Sequence, residues 1–221
     1  MKIGVIIAME KELELFAKNL HNFSKSVIAG KTFLQGQLND KEIIAVVAGI
    51  GKTNAAICAT YLINNFNVDL IVNIGISGGL ASSLQIGDFV VGTDIVYHDV
   101  FCGEPDQYGQ ISNLPLYFHS DSELAAKLSE YKHGLLCCGD KFIIKPEETL
   151  PIKENFPSAL AVDMESAAIA QTCYLHHTPF LCVRQISDTP GIKHHAEQYD
   201  EFWRNAPQNS FAIFQKILSV L

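Results

Sequence analysis

The sequence predicts an α/β protein, a three-layer sandwich whose mostly parallel or mixed central β-sheet is flanked by helices. Short, nearly continuous apolar runs recur at residues 3–9, 69–75, 89–97 and 180–186, and strands buried on both faces read this way. Segments of helical composition separate these runs, and alternating strands and helices build a sheet covered on both sides. A third observation bears on function. Glu12, Glu165 and Asp188 each follow an apolar run, and open α/β sheets bind ligands beyond the carboxyl ends of their strands. Three carboxyl groups delivered to one sheet edge predict an acid-lined pocket, and with it an enzyme.

Taken in order, the spacing predicts a strand over 2–8 and a helix over 9–20 with apolar positions at Met9, Leu13, Leu15, Phe16 and Leu20. Two or three strands follow between residues 24 and 47, with Asn39-Asp40 as the turn between 33–38 and 42–47. Ala48-Gly49-Ile50-Gly51 is a glycine-punctuated loop ahead of a helix over 52–66. A buried strand over 69–75 ends in a loop, Ile76-Ser77-Gly78-Gly79, and 89–97 forms a long strand before a polar loop over 99–113. Next come a helix near 122–131, a strand near 134–138, an irregular stretch over 151–156, a strand over 159–162 and a small-residue helix over 165–174. The last core strand covers 180–186, and the region from 197 to 220 is helical with an interruption near Pro207. No linker, low-complexity segment or repeat divides the chain, so one domain over 1–221 is expected.

Composition narrows the function. With 48% hydrophobic and 18% charged residues the chain can bury a full core, which excludes disorder. A net charge of −8, a pI near 5.4 and no concentration of Lys and Arg exclude nucleic acid and anionic membrane as partners. Met1-Lys2 leads straight into a strand and no apolar stretch reaches about 18 residues, so neither export nor a membrane span is expected. The six cysteines lack CxxC spacing, and Cys137, Cys173 and Cys182 lie among apolar residues as reduced core side chains. These features together predict a soluble cytoplasmic protein. The histidine pairs His176-His177 and His194-His195 point in different directions, so no metal and no cofactor is expected.

Each acid has a bland and a chemical reading. Glu12 shares a helix face with Met9, Leu15 and Phe16, and a carboxylate among apolar neighbours is a candidate general base. As a first-turn acid it could equally serve the helix dipole. Glu165 opens a helix whose Ser166, Ala167, Ala168 and Ala170 allow close packing. It is either a helix cap or a double acceptor suited to a vicinal diol such as ribose. Asp163 belongs to the preceding strand and serves orientation. Asp188 precedes Thr189-Pro190-Gly191, so an Asx-turn competes with a catalytic role. The glycine loops at 49–51 and 75–79 allow close backbone approach to a ligand and fit neither dinucleotide nor P-loop spacing.

Taken together, the segments resemble the 5′-methylthioadenosine/S-adenosylhomocysteine nucleosidases of the nucleoside phosphorylase superfamily. The resemblance is carried by Ile3-Gly4-Val5-Ile6-Ile7-Ala8-Met9-Glu10-Lys11-Glu12, Gly49-Ile50-Gly51-Lys52, Gly78-Gly79-Leu80, Gly87-Asp88, Tyr97-His98-Asp99 and Tyr108-Gly109-Gln110. It continues through Gly139-Asp140-Lys141-Phe142-Ile143, Val162-Asp163-Met164-Glu165 and Val183-Arg184-Gln185-Ile186-Ser187-Asp188. It implies a nucleoside phosphorylase-like fold, an adenine nucleoside as the small-molecule partner, and hydrolysis of its N-glycosidic bond. It implies Asp188 as general acid at purine N7 assisted by Ser187, and Glu12 activating water with Arg184 nearby. Glu165 and the Met164 backbone would hold the ribose hydroxyls, Phe142 would stack on the base, and the Ile143 backbone would read its edge. Met9, Ile50 and Tyr199 would line the pocket, with Ser77 and Gly78 beside them, and a homodimer would close it.

Ile76 stands where these nucleosidases usually carry Ser, Asp163 replaces the more usual Glu, and 102–107 is polar where an apolar wall for the 5′ group is expected. A phosphorylase, or a non-catalytic nucleoside-binding protein on the same fold, is the alternative expectation.

Overall fold

A computed structural model describes residues 1–7, 10–191, 199, 202 and 206–221, with the side chains of residues 11, 12, 206 and 207 outside that description. Apolar runs become strands and the intervening segments helices, in the order β1 (Lys2–Ile7), α1 (Glu10–Asn19), β2 (His21–Ile28), β3 (Lys31–Leu38), β4 (Lys41–Val47), α2 (Lys52–Phe66), β5 (Leu70–Gly79) and β6 (Phe89–Tyr97). Then come β7 (Phe118–His119), α3 (Ser122–Ala126), β8 (Lys132–Cys138), α4 (Pro146–Asn155), β9 (Ala159–Asp163), α5 (Ser166–His176), β10 (Phe180–Asp188) and α6 (Ala206–Val220).

The strands form one mixed sheet in the order β10-β6-β8-β9-β5-β1-β4-β3-β2. β10 also pairs in parallel with β5, so β5, β9, β8, β6 and β10 close into a five-strand ring, while β1, β4, β3 and β2 extend from it. Alternation along the strands feeds two cores. Ile3, Val5 and Ile7 of β1 pack with Leu13 and Phe16 of α1 and Phe214 and Ile217 of α6. Ile6, with Ile44 and Val46 of β4, packs on the other face against Ala55, Cys58, Ala59 and Leu62 of α2 and Ala167, Ile169 and Cys173 of α5. Gly4 permits that contact, because a Cβ there would stand 3.0 Å from the Leu62 side chain. A third cluster joins Val96, Leu135, Cys137 and Val162 to Ile152 and Phe156 at α4.

The structure corrects several local expectations. Residues 76–79 continue β5, because Ile76, Ser77 and Gly78 pair with β10 and Gly78 and Gly79 with β9. The stretch 151–156 falls largely in α4. Glu148 accepts the N–H groups of Ile144 and Lys145, and Ile152 is buried, which outweighs the donor lost at Pro151. The helix near 122–131 is a five-residue piece capped by Asp121. Pro207 lies in the first turn of α6, where a missing N–H costs no intrahelical bond. Of residues 197–205, only 199 and 202 fall within the described part.

Candidate active site

A cavity of about 380 Å³ opens beyond the carboxyl ends of β1, β5, β9 and β10. β10 brings Arg184, Ser187 and Asp188 to it. Neighbours on a regular strand point to opposite faces, yet Ser187 and Asp188 both line the cavity. The register shift between Ile186 and Asp188 is the reason.

Arg184 is fully buried, and its Nε donates to Asp163 Oδ2 at 2.9 Å while an Nη donates to Asn73 Oδ1 at 2.5 Å. The other Asp163 oxygen accepts the N–H groups of Glu165 and Ser166 at 3.0 Å each, and the Ser166 hydroxyl at 2.9 Å. One carboxylate thus orients the guanidinium and caps α5, which agrees with its expected orienting role.

That arrangement releases Glu165 from capping. It occupies the N-cap position of α5 without a capping bond, and its Oε1 accepts the Gly51 N–H at 3.0 Å. Enclosure of the carboxyl group, and then the Asp163 charge beside it, push it up to about 7, against the opposing pull of Arg184 and the Gly51 N–H. Asp188 is 1% exposed, and the Ser187 hydroxyl donates to its Oδ1 at 2.5 Å. Ser77 lends a main-chain oxygen 3.2 Å from the same hydroxyl.

Apolar groups complete the walls. The Phe142 and Tyr199 rings meet at 5.3 Å and 63°; Ile143 is buried beneath, and Ile50, Met164 and Gly78 also line the space. Pro190 crosses Gly78 so closely that a Cβ on that glycine would lie 2.5 Å from the ring. Gly191 N–H donates to Ile144 O at 3.0 Å, joining the segment after Asp188 to the one after Ile143.

The cavity therefore gathers Ile50, Ser77, Gly78, Phe142, Ile143, Met164, Glu165, Arg184, Ser187, Asp188 and Tyr199. Met9 and the Glu12 side chain lie outside the described residues. Sequence reasoning missed Asn73 and Lys141, both at the cavity; an Asn inside the apolar run 70–74 was a readable signal for the first. The polar segment 102–107 does not line this chain's own cavity. It turns back on itself through Asp106 N–H to Gly103 O at 3.0 Å, and the adjoining Tyr108 is anchored by its hydroxyl, which donates to His98 O at 2.8 Å. Among the described residues no three His, Cys, Asp or Glu side chains gather as metal ligands, and no helix is long and apolar enough to cross a membrane.

A family model described as the phosphorylase superfamily matches residues 2–219. A 5′-methylthioadenosine/S-adenosylhomocysteine nucleosidase of Staphylococcus haemolyticus is 39% identical, covering 99% of this chain and 100% of its own. The S-adenosylhomocysteine nucleosidase of Streptococcus pyogenes, solved with 5-methylthiotubericidin, superposes with a TM-score of 0.95 at 36% identity, covering 100% of this chain and 97% of its own. The 5′-methylthioadenosine/S-adenosylhomocysteine nucleosidase of Colwellia psychrerythraea, solved with adenine, gives 0.92 at 37% identity, covering 99% and 95%. By sequence and by fold alike, the chain belongs to the 5′-methylthioadenosine/S-adenosylhomocysteine nucleosidase family, a group of N-glycosidases within the phosphorylase superfamily.

Proposed function

We propose that this protein hydrolyses the N-glycosidic bond of 5′-substituted adenine nucleosides and releases adenine. The observation that carries the reading is a buried carboxyl group, Asp188 held by Ser187, in the same cavity as the Glu165 carboxyl group and the Phe142 ring. Adenine leaves poorly as an anion, and a proton delivered by Asp188 to N7 lets it depart neutral as the N9–C1′ bond breaks. The sugar then resembles an oxocarbenium ion, which nearby carboxylates stabilise until water adds at C1′. Glu165, as a carboxylate, accepts hydrogen bonds from the ribose hydroxyls with the Met164 backbone beside it. Phe142 stacks on the base, the Ile143 backbone reads its edge, and Ile50, Ser77, Gly78 and Tyr199 complete the walls. For Glu12 as activator of water, and Met9 as wall, the support is the resemblance alone.

Hydrolysis is favoured over phosphorolysis because phosphate capture calls for arginine or a nest of backbone donors. Arg184 is already engaged by Asp163 and Asn73. The exposed apolar side chains Ile50 and Phe142 at the cavity (61% and 42% exposed) suit closure by a second copy, and a role in methionine salvage in the cytoplasm follows from the substrate class. The test is adenine release from methylthioadenosine, adenosylhomocysteine and adenosine, with and without phosphate. Release at equal rates in both buffers, with free sugar as product, is expected; a sugar 1-phosphate would overturn the reading.

A further inference from the structure

The loop before α2 is held far more firmly than a connection of its length requires. On one side, Lys31 Nζ donates to Ala48 O at 2.6 Å and to Asn54 Oδ1 at 3.0 Å, and Asn54 Nδ2 donates to Ile50 O at 2.8 Å. On the other, Asp140 Oδ1 accepts the Lys52 N–H at 2.8 Å, and the Asp140 N–H donates to Asp99 Oδ2 at 2.8 Å. Lys52 Nζ closes the cluster on both Asp99 oxygens at 2.9 and 2.8 Å. Gly51 sits between these anchors with φ of 96°, and a Cβ there would lie 3.1 Å from Asp140 Oδ1. Its N–H is not needed by α2, and it points instead at Glu165 Oε1.

We infer that Asp140 is a positioning residue for sugar recognition: by capping the first turn of α2 it aims the Gly51 N–H at Glu165, and that bond fixes the carboxylate's orientation toward a cis-diol. The inference deepens the nucleosidase reading, since the ligand Glu165 holds is the ribose of that substrate. Asp140 itself does not line the cavity, so it acts through Gly51 and Glu165. A hydrogen bond to a carboxylate is among the stronger ones; with it loosened, Glu165 must be reordered each time a riboside binds.

Four variants and two readouts test this. Asp140→Ala removes the acceptor and should raise KM for an adenine riboside roughly tenfold, with kcat nearly unchanged. Asp140→Asn keeps an acceptor oxygen and should recover most of that loss. For a 2′,3′-dideoxy adenine nucleoside, which offers Glu165 no diol, Asp140→Ala should change KM little, and combining Asp140→Ala with Glu165→Gln should add little to Glu165→Gln alone. Equal losses on both nucleosides would overturn the inference and leave Asp140 a purely structural residue. The second readout needs no substrate: in the wild type the Gly51 amide NMR shift should follow the titration of the Glu165 carboxyl group, with Asp163 and Arg184 as the other charges facing it, and in Asp140→Ala it should not. A Gly51 shift that follows Glu165 equally in both proteins overturns the inference. A shift lost only in Asp140→Ala, without any wild-type preference for the riboside, upholds the Asp140–Gly51–Glu165 linkage and removes instead the ribose role of Glu165.

Discussion

Gly78→Ala should disable the enzyme without unfolding it. The added Cβ would stand 2.5 Å from Pro190 Cγ and 3.0 Å from Pro190 Cδ, with Val162 Cγ1 behind it at 3.4 Å. Carbon atoms rest at about 3.5–4.0 Å, so the proline ring or β5 must retreat by roughly 1 Å. Val162 blocks one direction, and the pairing of Gly78 with Asp188 ties the strand to the residue that should not move. Pro190 is two residues beyond Asp188 and its φ is locked, so its displacement passes to the Asp188 main chain. A misplacement of about 1 Å costs on the order of 10²-fold in rate. Overpacking of this kind costs about 1–3 kcal/mol, a fraction of the roughly 5–15 kcal/mol of a folded domain. Single-turnover adenine release should therefore fall near a hundredfold while thermal unfolding remains cooperative. Pro190→Ala deletes the obstructing ring atoms, and in the double variant most of the rate should return. A Gly78→Ala enzyme within threefold of wild type, or a double variant no faster than the single, would refute the reasoning.

Other perturbations address the remaining groups. Asp188→Asn keeps shape but lacks the transferable proton, so turnover should drop about 10²–10⁴-fold with substrate binding largely intact; retention of a tenth of the rate would remove Asp188 from the acid's role. Glu12→Gln should lose turnover in phosphate-free buffer, and unimpaired hydrolysis would assign the water to another base. Because the Glu165 carboxyl group sits near 7 rather than in the usual carboxylate range, it is neutral below that pH and accepts two hydroxyl donors only above it. The riboside KM should rise up to about tenfold per unit as pH falls below 7, and the same limb should be missing in Glu165→Gln; an unchanged limb would place the titration elsewhere.

The sequence announced the strands and the acids more clearly than the links between them. The helix expected over 52–66 and the strand over 89–97 match α2 and β6, because helical composition marks the first and a long apolar run the second, with Gly51 and Asp88 just ahead of them. Glycine misled at 76–79: a run with two glycines read as a loop, whereas here the missing side chains let Pro190 and Ile186 approach a continuing strand. Proline misled at 151, where the cap at Glu148 and the buried Ile152 sustain the helix. Asp188 and Glu165 could be found from their positions after apolar runs. The Gly51 bond to Glu165 spans 114 residues of sequence, and the Asp163–Arg184 pair spans 21; no local pattern encodes such partners. The segment 102–107 does not line this chain's own cavity, because polarity says nothing of direction.

The ring of β5, β9, β8, β6 and β10 also determines where this molecule can breathe. β10 is hydrogen-bonded to β5 on one side and β6 on the other, and all nine of its residues are buried. A stretch laddered on both flanks tends to open together with its neighbours, so residues 182–185 of β10, Arg184 among them, should exchange slowly, while Ser187 and Asp188 lie beyond the pairing with β6. At the far end of the sheet β2 has β3 as its one neighbour among the described residues and is almost wholly exposed. Amide protons should exchange from that hairpin first, and cleavage there should leave Asp188 in place. The fold separates a margin that can fray from a laddered centre, and the cavity opens at the end of that centre.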